Sequence, residues 1–283
     1  MRLSSFLVVF AASAATATPV TPPAIDPQPK FSANDFGCRS TKYPNPVIAL
    51  HGLFATAKSD LNFLEAWLRP KGFCTFSLTY GEYPLIPLGG LKAISESSIE
   101  IANFVKEVLD KTGAAKVDIV GHSEGGLQSL YLPKFAGIAD RVDKIIAIAP
   151  PTHGTDSSGL VALADTLGLR PLVNEVLDTI GCDACNDMIP GGPAVTKLNT
   201  GTVVQPGNKV TVIASRNDRT VVPPSSAFVK EFGVNNIFVQ DYCPLDPVGH
   251  VSLAIDLNVW NLVLNSLEDR IGRKFPCIIS FPF

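Results

Sequence analysis

The run Lys116-Val117-Asp118-Ile119-Val120 leads directly into Gly121-His122-Ser123-Glu124-Gly125, and a helical pattern begins at about Gly125. A short β-rich run, a G-x-S-x-G turn and a helix constrain the fold severely. The turn is so tight that a Cβ at either glycine position clashes, and its strain pushes the serine hydroxyl out above a sheet. The helix N-terminus behind the serine favours negative charge there. Such a turn needs a strand whose carboxyl end feeds a helix, and the rest of the chain supplies the same rhythm. Short apolar runs at 46–50, 74–79, 144–149, 210–214 and 237–240 read as strands, and the spacing of apolar residues predicts helices over 94–109 and 252–267. Strands alternating with helices imply an α/β fold with a mostly parallel sheet flanked by helices.

One interval breaks the rhythm. Residues 152–205 form an insertion far longer than a strand-to-helix loop needs. It carries an apolar helix-like segment over 160–177, then Cys182, Cys185 and the turn Pro190-Gly191-Gly192-Pro193. Insertions at the carboxyl ends of sheet strands build lids and binding walls, and this one is expected to be lid-like.

Mean hydropathy is positive (+0.24), which raises the question of a membrane span. Only the start of the chain is apolar enough to pose it. Arg2, the apolar run over 3–15 and Ala15-Thr16-Ala17 have the anatomy of a signal peptide, with residues 1–17 removed; a cut after Ala15 and a retained anchor are the alternatives. Residues 18–30 form a proline-rich leader, and 31–283 one domain. The mature protein is expected to be secreted, monomeric and without a transmembrane segment. All six cysteines lie beyond the signal, which suits disulfides in an oxidising compartment; Cys38 and Cys74 are the preferred pair because each sits beside a neighbouring strand. Cys182-x-x-Cys185 has no second cysteine pair and no histidine nearby, so no metal site is expected. A net charge of −3 argues against nucleic acid as a partner.

A serine hydroxyl needs a base. The chain has four histidines, at 51, 122, 153 and 250. The order expected after such a turn is serine, acid, histidine, which removes His51 and His122. His153 leaves no room for an acid-bearing strand before it, so His250 is the candidate base. Asp218, in the polar turn after the strand at 210–214, is the preferred acid over Asp241 and Asp246. Two main-chain N–H groups should receive an oxyanion. Glu124 supplies one. Leu53, in Leu50-His51-Gly52-Leu53-Phe54, is the choice for the other, with Phe54 as alternative, and His51 is read as an anchor for that loop.

The chain resembles the secreted α/β-hydrolase lipases of the class 2 lipase family. The likeness is carried by His51-Gly52 with Phe54-Ala55-Thr56, by 116–123, by Ala149-Pro150 with His153-Gly154-Thr155, by the turn at 214–218, and by Cys243-Pro244-Leu245-Asp246 ahead of Gly249-His250. It implies an α/β-hydrolase fold and a carboxylic-ester hydrolase, expected to be a triacylglycerol lipase, with Ser123, Asp218 and His250 as a triad and no cofactor. Cys182, Cys185 and Cys243 look like family cysteines. The family commonly has Gln or Met after the nucleophile, where this chain has Glu124. On this reading Phe54, Leu160, Leu163 and Leu167 contact an ester or lipid substrate, with a lipid–water interface as one expected setting. An esterase, a cutinase-like polyester hydrolase, a peptidase using the same triad, and an inactive secreted binding module are the other readings.

Overall fold

The computed structural model describes residues 32–179 and 181–280; the expected signal and leader segments lie outside them. Six strands, β1 (Val47–Leu50), β2 (Thr75–Ser77), β3 (Val117–His122), β4 (Val142–Ile148), β5 (Lys209–Ala214) and β6 (Asn235–Phe238), form one sheet in the order β2-β1-β3-β4-β5-β6. Every pairing is parallel. The helices among the described residues are α1 (Asn62–Leu68), α2 (Ile94–Thr112), α3 (Glu124–Phe135), α4 (Ser157–Thr166), α5 (Arg170–Thr179), α6 (Asp183–Asp187), α7 (Pro193–Leu198), α8 (Val239–Tyr242) and α9 (Leu257–Leu267).

Strand side chains alternate between two cores because successive residues point to opposite faces. Ile48, Leu50, Ile119, Ile145 and Val212 pack with Ile101, Val105 and Leu127 of α2 and α3. On the other face Val47, Ala49, Val120, Ile146 and Ile213 meet Leu64 and Leu68 of α1 and Val259 and Val263 of α9. A sheet covered on both faces explains the continuous apolar run over 145–148 of β4. No helix among the described residues is long and apolar enough to cross a membrane.

Three expectations need correction. The segment at 160–177 is two helices, broken where Gly168 takes φ +67° just ahead of Pro171. The last helix begins at Leu257, because the Asp256 side chain accepts the N–H of Val259 and caps it; the preceding turn, Val251–Ala254, is a 3₁₀ helix. The strand expected at 237–240 ends at Phe238, and α8 follows at once.

Three disulfides join Cys38 to Cys74, Cys182 to Cys185 and Cys243 to Cys277. The first ties the segment before β1 to the start of β2, as anticipated. Bridges spanning 36 and 34 residues each limit the unfolded chain by about 3–4 kcal/mol in the loop-entropy picture, against about 2 for the three-residue span.

Candidate active site

The sheet brings the carboxyl ends of β1, β3 and β5 together, and the loop after α8 folds over them. At the end of β3, Ser123 sits at φ 53° and ψ −118°, a conformation that side chains other than glycine rarely hold. Its N–H donates to Ile148 O of β4 (2.8 Å), and its own carbonyl accepts the N–H of Leu127 (3.1 Å), so strand and helix both fix the turn. A Cβ on Gly121 would collide with the Gly125 carbonyl, and one on Gly125 with the carbonyls of Leu50 and His51. The spacing of the two glycines is therefore a steric requirement of the turn.

The candidate base and acid meet Ser123 across more than ninety residues of chain. Ser123 Oγ lies 2.9 Å from His250 Nε2, and His250 Nδ1 lies 2.7 Å from Asp218 Oδ2. Nδ1 faces a carboxylate and so carries the proton, which leaves Nε2 to accept from the serine. The other oxygen of Asp218 accepts the N–H groups of Thr220 (2.8 Å) and Val221 (2.9 Å). All three side chains are buried. The rival acids are engaged elsewhere. Asp241 is half exposed, pairs with Arg216 and accepts the N–H of Phe238. Asp246 binds Val248 N–H, Asn258 and Ser280. His153 Nδ1 donates to Ser226 O on the exterior.

The loop after β1 is held from both sides. His51 donates from Nδ1 to Gly52 O (2.8 Å), accepts the N–H of Tyr80 at Nε2 (3.2 Å) and stacks on the Tyr80 ring at 4.2 Å. Burial keeps its pKa below the usual histidine value, in keeping with a neutral anchor. Phe54, at φ +63°, spends its N–H on Gly89 O (3.1 Å). That favours Leu53 over Phe54 as the second oxyanion donor beside Glu124.

Two residues that the sequence reading did not use join these loops. His122, next to the serine, donates from Nδ1 to Asp60 (3.0 Å) and from Nε2 to His250 O (3.0 Å). Asp60 also accepts the N–H of Gly52 (2.6 Å). The pair therefore ties the serine turn to the main chain of the candidate base and to the loop after β1. Burial disfavours both charges, yet their mutual attraction and hydrogen bonds raise the His122 pKa and lower that of Asp60. His122 pointed at two acceptors is an imidazolium. Asp60→Asn is expected to cost about 3 kcal/mol of stability, since it strands a buried charge. The depressed Asp60 contributes above about pH 3.8 and loses its contribution as pH falls; the raised His122 contributes below about pH 6.5 and loses it as pH rises. The stability gap between the parent and Asp60→Asn should thus peak between those values, and denaturant unfolding across pH measures it.

A cavity of about 180 Å³ opens in front of the serine, lined by Gly52, Leu53, His122, Ser123, Leu163 and Leu167. Phe54 and Leu160 line a neighbouring apolar cavity of about 260 Å³ with Val161 and Leu177. A third, of about 680 Å³, is bounded by Ala162, Arg219, Thr220 and His250. Helix α4 forms a wall of all three. Of the four residues expected to contact substrate, Leu163 and Leu167 lie at the serine, whereas Phe54 and Leu160 lie one cavity away. Among the described residues, no group of three or more His, Cys, Asp or Glu side chains is arranged to hold a metal ion.

Residues 45–171 match the family described as alpha/beta hydrolase fold. Triacylglycerol lipases of Pseudarthrobacter phenanthrenivorans and Burkholderia plantarii are each 32% identical to the chain over 127 residues, 43% of its length. The matched region spans about a third of those relatives, 37% and 33%. Aspergillus fumigatus lipase B superposes with a TM-score of 0.63 at 19% identity, over 85% of this chain and 55% of that one. A structure from the metagenome-derived lipolytic enzymes LipS and LipT gives 0.56 at 16% identity, over 82% and 98%. Identities this low speak for the fold alone. With its parallel sheet and the strained serine turn at the end of β3, the chain has the alpha/beta hydrolase fold.

Proposed function

We propose that this protein is a secreted carboxylic-ester hydrolase of the class 2 lipase family, acting on acylglycerols through an acyl-enzyme. The observation that carries the reading is the hydrogen-bonded chain from Ser123 through His250 to Asp218. In the first half-reaction His250 Nε2 takes the proton of Ser123 as Oγ attacks the ester carbonyl carbon. The oxyanion that forms is held by the N–H groups of Leu53 and Glu124, and Asp218 stabilises the imidazolium. His250 then protonates the departing alcohol. Water repeats the sequence on the acyl-enzyme, releasing the acid and restoring the serine. The three disulfides suit a protein folded in an oxidising compartment, and the lipase relatives support an acylglycerol substrate.

An esterase reading is favoured by one feature, the modest volume of the cavity at Ser123. A series of acyl esters from short to long, assayed below and above the solubility of each, separates the two. A lipase keeps or gains rate on emulsified long-chain triacylglycerol. A rate that peaks on soluble short esters and vanishes on emulsions assigns an esterase, and a preference for matched amides assigns a peptidase.

A further inference from the structure

Only the main-chain N–H of Glu124 enters the mechanism above, yet its side chain occupies a demanding position. The residue is fully buried, and neither carboxyl oxygen has a hydrogen-bond partner. Oε2 fills the space where a Cβ on Gly90 would collide with it, and that same point lies 3.3 Å from Leu53 Cα. Gly90 follows Gly89, whose carbonyl holds Phe54 N–H and whose own N–H donates to Ala55 O (3.0 Å). The carboxyl is therefore packed against the segment that braces the oxyanion loop.

The groups that act on it include no positive charge. They are Tyr80 on the segment after β2, Asp187 at the end of α6, and Gln128 one turn along α3. Asp187 is the one that carries charge, and it is negative; Tyr80 stays a neutral phenol because burial raises its pKa further, and Gln128 is an amide. Burial pushes the Glu124 carboxyl well above the ordinary value near 4.5; the Gln128 side chain beside it pulls back in part, and Asp187 adds a smaller upward push. Gln128 donates its amide N–H to Ile94 O (3.2 Å), while its Oε1 has no donor. A carboxylate here would add a charge with no partner to an acceptor already unserved, an arrangement that buried interiors do not sustain. A carboxylic acid brings the missing proton.

We propose that Glu124 is held as a neutral carboxylic acid beneath the oxyanion loop, its proton directed at the amide oxygen of Gln128, and that loss of this proton to solvent sets the alkaline limit of hydrolysis. The inference rests on the ester-hydrolase reading. An ionised Glu124 places a negative charge beside donors that must hold a second one, and opposes the oxyanion by about tenfold or more in rate. Glutamine has the same shape and no ionisation to undergo. Glu124 thus acts as a positioning residue through its side chain, separate from the role of its N–H.

The test compares the parent with Glu124→Gln by two measurements. The first is unfolding stability between pH 4 and pH 9. An acid whose native pKa is raised contributes fully below its unfolded pKa and loses that contribution as pH rises toward the native value. The stability difference should therefore widen in favour of Glu124→Gln as pH climbs above about 4.5. The second is the pH profile of kcat/KM on a soluble p-nitrophenyl ester, each profile scaled to its own neutral value. The parent should fall at alkaline pH by tenfold or more, and Glu124→Gln should not. A stability difference that does not change with pH overturns the neutral acid. A widening difference with superimposable activity profiles overturns its coupling to the reaction. If neither protein hydrolyses esters, the proposed function fails, and the unfolding measurement still decides the proton.

Discussion

Replacing Ser123 with alanine is expected to lower kcat on p-nitrophenyl esters by about a millionfold, the scale on which serine triads lose their nucleophile. The fold should survive the change. Ser123 already holds a left-handed backbone with a Cβ, and alanine keeps that Cβ while removing only the hydroxyl. The turn is fixed by main-chain bonds to Ile148 and Leu127 that alanine retains. Thermal unfolding and circular dichroism should match the parent, and residual activity should be that of the oxyanion donors alone. A variant that still turns over at the parental rate would remove Ser123 from the chemistry and the proposed function with it.

Asp218→Asn is the second large effect, about ten-thousandfold in kcat. The surroundings dictate how the new amide must sit. Thr220 and Val221 both donate N–H groups to one oxygen of Asp218, so the asparagine oxygen stays there. Its NH₂ group then faces His250 Nδ1, donor against donor. The imidazole relieves the conflict by moving its proton to Nε2, where it can no longer accept from the serine. Asp241→Asn, at an exposed ion pair with Arg216, should leave the rate unaltered. The opposite ranking of the two variants would assign the acid to Asp241.

What could be read from the sequence depended on how local each constraint is. The serine turn is legible because its two glycines answer to atoms four residues away or in one neighbouring strand. His250 stands out as the candidate base because few histidines exist and the expected order of serine, acid and histidine removes the rest. Asp218 required a preference among three aspartates, and the separation came from geometry: one faces the imidazole, one is outside, and one holds other chain segments. His122 and Asp60 escaped because nothing in a sequence marks an aspartate sixty-two residues upstream as the partner of a histidine. The apolar stripe of α4 was visible, but which of its leucines looks at Ser123 depends on how the helix seats. The breaks at Gly168 and Asp256 did leave signals, a glycine ahead of a proline and a capping aspartate, that apolar spacing alone passes over.

The bridge between Cys243 and Cys277 reaches further than its contribution to stability. Just beyond Cys277, the Ile278 carbonyl and the Ser280 hydroxyl bond to Asn258 and Asp246, and Asp246 belongs to the loop that ends in His250. The segment around Cys277 thus acts as a clasp on the loop that carries the candidate base. A cell that keeps thiols reduced makes the same polypeptide with the clasp undone, so the amount of soluble protein recovered from such a host is a poor guide to how much of it is competent. The choice of expression compartment becomes part of the definition of the enzyme.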